Sequence, residues 1–157
     1  MCAKRLGPRA AERRRKERRR LEKERLERER NAAEPREIDP MMEPLRQYML
    51  AKPGCVEEFP FGPAVMVFKV GGKMCALLAW EEVPVYISLK CDPERSQELR
   101  EQHAGIKGAY HMNKKHWHSV AMGGSVDMEL AEELMDHSYQ LIVKTLPGRE
   151  RERLRGL

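Results

Sequence analysis

The fold is decided by the stretch VMVFKVGGKMCALLAW, residues 65–80. Two apolar runs, 65–70 and 73–80, are separated only by Gly71-Gly72, and a two-residue glycine loop favours a type I′ β-hairpin. This hairpin predicts the residue pairs Val70/Lys73, Phe68/Cys75 and Met66/Leu77. The last two pairs are then expected to face the core, with Lys69 on the opposite face of the sheet.

The sequence on either side of the hairpin predicts the neighbouring elements. A short helix around 45–49 ends at Pro53-Gly54. Residues 85–90 alternate between apolar and polar side chains, which predicts a third strand with Tyr86, Ser88 and Lys90 on its outer face. Asp92-Pro93 combines an N-cap with a proline at the first helical position, and therefore begins a helix that runs to about Gln102.

Two further strands, 108–112 and 117–122, are predicted to form a second hairpin around the loop 113–116. Ser125 is expected to cap a last helix that runs to about Leu146. Its apolar stripe consists of Leu130, Ala131, Leu134, Ser138 and Leu141. The order α-β-β-β-α-β-β-α predicts an α+β fold, a two-layer sandwich whose five-stranded, mostly antiparallel sheet carries helices on one face.

The second loop is the stretch that points to a function. The run YHMNKKHW, residues 110–117, places two lysines, two histidines and an asparagine beside Trp117. A basic loop of this kind is typical of contact with phosphate groups. Lys69, Lys90 and Tyr86 on the outer sheet face would add the aromatic and basic side chains that stack bases and attract phosphate.

These stretches resemble a known family. The motifs that carry the resemblance lie in the family's order within residues 41–147: PG (53–54), EEFPFGP (57–63), FKVGGKM (68–74), LKCDPE (89–94), YHMNKKHW (110–117) and DHSY (136–139). They closely resemble the YjbR/MmcQ family. The resemblance implies a small bacterial protein with a double-wing DNA-binding domain and a frataxin-like sheet. The sequence departs from the family in its charged N-terminal segment and in Gly108-Ala109, where the family usually has Pro-Gly.

Charge divides the chain into segments. Residues 1–40 contain 15 Lys/Arg and 9 Asp/Glu, whereas residues 41–157 contain 15 and 16. In the first segment, opposite charges lie four residues apart, as in Glu12/Lys16, and no apolar stripe is present. This pattern predicts a solvated or fluctuating helix that ends within 31–35. We therefore expect a basic arm (1–40), a double-wing domain (41–147) and a basic C-terminal tail (148–157).

The arm has three interpretations. It is a nucleic-acid-binding segment, a charged tail without a specific role, or the result of a wrongly assigned start. The third interpretation arises because Met41 or Met42 lies where members of the resembled family usually begin.

Metal and acid–base sites are not predicted. His111, His116 and His118 lack the cysteine or carboxylate partners of a four-ligand site. Glu57-Glu58 is a carboxylate pair, but adjacent residues in a turn usually diverge. We therefore expect no metal and no cofactor.

Two smaller features have ordinary structural interpretations. Phe59 and Phe61 are expected to pack against the sheet edge. Cys91, just before a helix, is either a reactive thiolate or a buried small residue. Four scattered cysteines and the lack of a long apolar run predict a cytoplasmic protein with no membrane partner. The sequence leaves the oligomeric state open, and a monomer is favoured.

The sequence thus favours a non-enzymatic DNA-binding protein of low sequence specificity. The expected contacts are Lys114, Lys115 and Lys73 on phosphates, Asn113 and His116 as hydrogen-bonding groups, Trp117 as a stacking group, and Lys69, Lys90 and Tyr110 on the same surface. Two alternatives stay open. One is a small-anion, nucleotide or protein-binding module that uses the Tyr110–Trp117 surface, and the other is an enzyme that uses the histidine, lysine and cysteine side chains.

Overall fold

The structure is a computed structural model that describes residues 8–33 and 38–157, with side chains described from residue 12 to 26 and from 38 onward. The chain divides into two compact units, one containing the first helix and the other containing residues 38–157. The elements of the described residues are α1 Pro8–Ala33, α2 Met42–Leu50, β1 Cys55–Glu58, β2 Val65–Val70, β3 Lys73–Ala79, β4 Tyr86–Lys90, α3 Pro93–Gln102, β5 Ile106–Gly108, β6 Trp117–Ala121, α4 Met128–Lys144 and α5 Gly148–Arg155. No helix among these residues is long and apolar enough to cross a membrane.

The first unit is a charged helix. The described side chains of α1 are almost all exposed, and ion pairs form between Glu12 and Lys16 (3.3 Å) and between Arg20 and Glu24 (2.9 Å). The predicted Glu12/Lys16 pair is therefore confirmed. Such exposed pairs add only about 0.3–0.5 kcal/mol each to a helix. The predicted helix end at 31–35 lies partly outside the described residues, which show helix as far as Ala33.

The second unit is an α+β sandwich, as predicted. Within residues 38–157, six antiparallel strands form one sheet in the order β1-β2-β3-β4-β6-β5. The prediction contained five strands and missed β1, which pairs with β2 along the sheet edge. Only four residues long and half charged, β1 has little local strand signal and depends on its pairing with β2.

The β2–β3 hairpin forms at the predicted glycines, and both have positive φ, +56° at Gly71 and +77° at Gly72. The predicted register is wrong beyond the first pair. Cys75 is an extra residue on β3, so Phe68 pairs with Ala76 and Leu77 moves to the outer face opposite Val67. The bulge is stabilised because the buried Cys75 thiol donates to the Phe68 carbonyl at 3.3 Å.

The helices pack on one face of the sheet. Helix α4 lies across β2, β3 and β4, and its apolar side chains close the core with Phe68, Ile87 and Leu89. The Ser138 hydroxyl links helix to sheet, because it donates to the Cys75 carbonyl (2.6 Å) and accepts from the Lys90 amide (2.8 Å). The buried stripe of α4 is Ala131, Leu134, Met135, Ser138 and Ile142, so the predicted Leu130 and Leu141 lie at its borders and are only half-buried.

Three further details differ from the prediction. The strand predicted at 108–112 ends at Gly108, so the second connection is longer than a hairpin loop. Helix α4 is capped by Asp127, whose carboxylate accepts from the Leu130 amide at 2.9 Å, and not by Ser125. The C-terminal segment forms α5, because Leu154 packs into the core beside Gly54.

Phe59 and Phe61, which were expected to pack against the sheet edge, are 45% and 63% exposed. They follow the edge strand β1, where the chain turns away from the sheet before β2. The apolar rings therefore remain largely in contact with solvent.

Candidate functional site

Both predicted wings, whose tips are the β2–β3 turn at 71–73 (first wing) and the loop at 113–116 (second wing), lie at the same end of the sheet. The β2–β3 turn follows Val70, and the β5–β6 connection precedes Trp117, which pairs with Lys90 at the end of β4. Because β4 alone separates β3 from β6, these two strands are about 10 Å apart across the sheet. The antiparallel topology therefore brings two residue groups together that are about forty positions apart in the sequence.

Backbone and side-chain hydrogen bonds order the second connection, residues 109–117, which we call the basic loop. The Asn113 carbonyl accepts from the amides of His116 (3.0 Å) and Trp117 (2.8 Å), and the Asn113 Oδ1 accepts from the Lys115 amide (3.0 Å). The His116 carbonyl accepts from the Cys91 amide at 2.8 Å and joins the loop to the end of β4. Asn113 thus shapes the turn that presents the lysines.

Lys114 and Lys115 are both exposed. The stem of Lys114 crosses the backbone at Gly108, and its Nζ lies 5.8 Å from the centre of the Tyr110 ring. Within the described part of the chain, neither ammonium group forms an ion pair with a carboxylate. Both ammonium groups can therefore contact an external anion, although Asp92, Glu94 and Glu98 line the same groove as Lys115.

The other three predicted lysines are placed differently. Lys69 is on the outer face but is paired with Glu58 on the edge strand. Lys73 donates to the carbonyl oxygen (3.1 Å) and hydroxyl (2.9 Å) of Thr145, at the C-terminal end of α4. Lys90 is half-buried beside Trp117. The basic loop, including Trp117, therefore forms a group with Lys90, whereas Lys69 and Lys73 have partners inside the protein.

The outer sheet face is less open than its alternating pattern suggests. Ser88 is only 8% exposed and shares a 3.0 Å hydrogen bond with Ser119 of the adjacent strand. Residues 109–112 of the basic loop lie over this part of the sheet and leave a cavity of about 140 Å³. A wider cleft of about 350 Å³ lies next to it, and Tyr86, Tyr110 and Ser119 line both.

Sequence reasoning missed Lys107 and the cleft itself. Lys107 lies on β5 opposite Ser119 and lines the wider cleft together with Tyr110. Strand β5 has only three residues, too few for an alternating pattern of apolar and polar side chains to indicate the position of Lys107. Trp117, expected as the aromatic contact, lines neither cleft, whereas Tyr86 and the 79% exposed Tyr110 line both.

The histidines do not converge. His111 packs edge-on against the Tyr110 ring with centroids 4.4 Å apart, whereas His118 is fully buried on the helix-covered face. The His118 Nδ1 lies 3.4 Å from the Ser96 hydroxyl, and burial lowers the pKa of His118 to about 4. Among the described residues no group of three or more His, Cys, Asp or Glu side chains could hold a metal ion.

The candidate catalytic groups are bound within the protein. The Glu57 carboxylate accepts from Arg46 at 2.5 and 3.2 Å, whereas Glu58 pairs with Lys69, so the two carboxylates face different partners. Burial raises the pKa of the Cys91 thiol. Cys91 therefore fits the buried small residue and not the reactive thiolate.

Comparison with protein-family models gives a match to the model described as YjbR over residues 50–141, which include the basic loop and both clefts. The chain is 40% identical to YbdF of Escherichia coli O157:H7 over 97 residues, 62% of this chain and 80% of that protein. It is 34% identical to YjbR of Escherichia coli K12 over 110 residues, 70% of this chain and 93% of that protein.

Two solved structures are also similar to this chain. A crystal structure of a Deinococcus radiodurans protein, described as a DUF419 domain, is similar with a TM-score of 0.68 and 41% identity, covering 72% of this chain and 86% of that one. A Pseudomonas syringae crystal structure is similar with a TM-score of 0.56 and 29% identity, covering 63% and 96%.

Proposed function

This chain belongs to the YjbR family, and from that premise we propose that it is a non-enzymatic, cytoplasmic nucleic-acid-binding protein that contacts DNA through the basic loop. The contacts are made mainly to phosphates, so binding has little sequence specificity. Lys114 and Lys115 neutralise phosphates, and Tyr110 and Trp117 provide aromatic surface beside them.

One observation carries this proposal. The two adjacent lysines are exposed on an ordered turn, and within the described residues no carboxylate lies within ion-pair distance of either ammonium group, although Lys115 shares a groove with Asp92, Glu94 and Glu98. Lys69, Lys73 and Lys52, in contrast, each have a partner within the protein. A fixed turn lowers the entropy that the lysines lose when they bind an anion.

The proposal also accounts for the charge distribution. Residues 41–157 carry 15 basic and 16 acidic side chains, so attraction to DNA must come from local clustering in this part of the chain. Residues 1–40 carry 15 basic and 9 acidic side chains, and the exposed side chains of α1 supply a second positive surface. We expect the arm to add non-specific affinity and the basic loop to fix the orientation of the domain.

The cleft favours a second candidate function, a nucleotide-binding or small-anion-binding module. Its volume of about 350 Å³ falls within the usual range for small-molecule sites, roughly 300–1,000 Å³. Tyr110 and Lys107 line it, so an aromatic ring and a positive charge meet there. The two candidates differ in whether a mononucleotide alone is bound as tightly as a polynucleotide.

The experiment is binding of the full chain to several duplexes of unrelated sequence. The Lys114→Ala/Lys115→Ala variant should lose a similar factor of affinity on every duplex, because phosphate contacts are sequence-independent. The matched control, Arg149→Ala/Arg151→Ala, removes the same charge from exposed positions on α5 and should lose less. Equal losses in the two variants would reject the basic loop as the contact surface.

A further inference from the structure

The two clefts adjoin on the outer sheet face. They share Tyr86, Tyr110 and Ser119, so the Tyr110 side chain contributes to both. The ring is 79% exposed although it touches His111 and lies near Lys114. A large aromatic side chain presented in this way at the mouth of a cleft is available to stack on another flat ring.

The interior of the clefts combines apolar and hydroxyl groups. Leu77 and Ala79 line the smaller cavity together with the hydrogen-bonded hydroxyls of Ser88 and Ser119. One of the two hydroxyls donates its proton to the other, so the pair retains one free O–H donor and the lone pairs of both oxygens for a polar ring edge. The volume of about 140 Å³ is close to that of a cavity of about 150 Å³ known to admit a benzene ring. The smaller cavity therefore suits one six-membered, polar-edged ring.

The charge around the clefts favours an anionic ligand. Lys107 lines the wider cleft, and the Lys114 ammonium lies 5.8 Å from the centre of the Tyr110 ring. No acidic side chain is among the described residues that line the two clefts. A ring that enters the smaller cavity thus has Lys107 in the adjoining cleft and Lys114 beside Tyr110, two cations that can attract the phosphates attached to a base.

We infer that this site takes an unpaired nucleobase, so that single-stranded nucleic acid is the preferred ligand of the domain. Tyr110 stacks on the base, the Ser88–Ser119 pair faces its polar edge, and Lys107 and Lys114 hold the flanking phosphates. This inference rests on the proposed function and narrows it. Duplex DNA offers phosphates to the basic loop, but its paired bases are stacked on one another and enter the cleft only at the cost of unpairing.

The test measures the affinity of the full chain for four ligands and for one abasic control strand at one salt concentration. These are an oligothymidine strand of about ten nucleotides, within the usual site range of single-strand-binding folds, an oligouridine of the same length, a duplex of that length, and thymidine monophosphate. An abasic strand of equal length keeps the phosphates and removes the bases. The variants are Tyr110→Ala and Tyr110→Phe. Phe61→Ala is the control, because Phe61 is an exposed aromatic side chain outside the clefts.

We expect the single strands to bind more tightly than the duplex and the abasic strand. Tyr110→Ala should weaken single-strand binding by about 5- to 140-fold, as loss of one stacked base does, and should weaken duplex binding by a clearly smaller factor, because a duplex keeps its phosphate contacts with Lys114 and Lys115. Tyr110→Phe and Phe61→Ala should keep wild-type affinity. The oligothymidine and oligouridine results distinguish DNA from RNA as the source of the base.

Three results would overturn the inference, and each has a different meaning. Equal binding of duplex, single strand and abasic strand, unaffected by Tyr110→Ala, overturns the base site and leaves the phosphate-binding function intact. If thymidine monophosphate binds as tightly as the strands, the base site for single-stranded nucleic acid is overturned and the clefts form a small-ligand site. No binding to any strand or duplex overturns both the base site and the proposed function.

Discussion

The Lys73 ammonium donates hydrogen bonds to both the carbonyl oxygen and the hydroxyl of Thr145, at the C-terminal end of α4. A lysine in this position interacts favourably with the unpaired carbonyls and the negative end of the helix dipole. The lysine next to the first wing therefore links the β2–β3 hairpin to the helix layer.

This contact predicts that Lys73→Ala acts on stability more than on DNA binding. Loss of an exposed helix-end cation costs about 0.3–1 kcal/mol, which chemical denaturation can measure. Lys114→Ala, which removes an equal charge without such a contact, should leave the unfolding midpoint unchanged. A variant of Lys73 with wild-type stability and strongly reduced DNA affinity would make Lys73 a phosphate contact instead.

The glycines of the same hairpin should differ in their tolerance of a side chain. Both have positive φ, so an alanine costs about 1–2 kcal/mol at either position. A Cβ at Gly71 also comes within 2.7 Å of the Leu146 side chain, whereas none lies within 4 Å at Gly72. We expect Gly71→Ala to destabilise the protein by about 1–3 kcal/mol more than Gly72→Ala. Equal unfolding free energies would show that Leu146 moves freely.

Burial of His118 predicts a loss of stability in acid. Its folded pKa of about 4 lies below the unfolded value of about 6.5, so the unfolded chain binds the proton more strongly. The free energy of unfolding should therefore fall as the pH drops below about 6.5, by up to about 1.4 kcal/mol per pH unit, and this contribution should level off below about 4.

The variant His118→Leu should remove this part of the pH dependence, whereas His137→Gln, at a less buried site, should keep it. NMR titration of the His118 ring in the unaltered protein gives an independent check. A His118 pKa near 6.5 in the folded state would contradict the prediction.

Deletion of the arm should weaken binding at low salt. A chain of residues 38–157 retains Asp39, whose carboxylate accepts from the Val85 amide at 2.9 Å, and so preserves this contact of the domain. We expect it to bind duplex DNA more weakly than the full chain, with the difference shrinking at high salt as counterion release becomes less favourable. Ion pairs within α1 neutralise part of the positive charge of the arm and so reduce the loss of affinity that its deletion causes. Equal affinities at low salt would mean that the arm makes no contribution.

Much of the fold was predictable because its signals are local. Gly71-Gly72 marked the hairpin, and Asp92-Pro93 marked the start of α3 at the residue where it begins. The features that were missed depend on distant partners. Strand β1 requires β2, and α5 requires Leu154 to pack near Gly54. The bulge at Cys75 shifts the alternation of β3, and no residue of the hairpin signals it.

The candidate site likewise has one part that the sequence predicted and another part that depends on distant residues. The lysines of the basic loop could be found from the sequence because the loop is a contiguous run. The internal partner of Lys73 could not, since Thr145 lies 72 residues away. The cleft was also hidden, because it forms only where residues 109–112 leave the predicted strand and lie over Tyr86 and Ser88.

The salt dependence of duplex binding by the Lys114→Ala/Lys115→Ala variant shows whether these two lysines contact phosphates. If both lysines neutralise phosphates, the slope of log affinity against log salt should become shallower by roughly 2, about 0.9 for each lost contact. An unchanged slope, in a variant with the circular dichroism spectrum and unfolding midpoint of the original protein, would contradict the account.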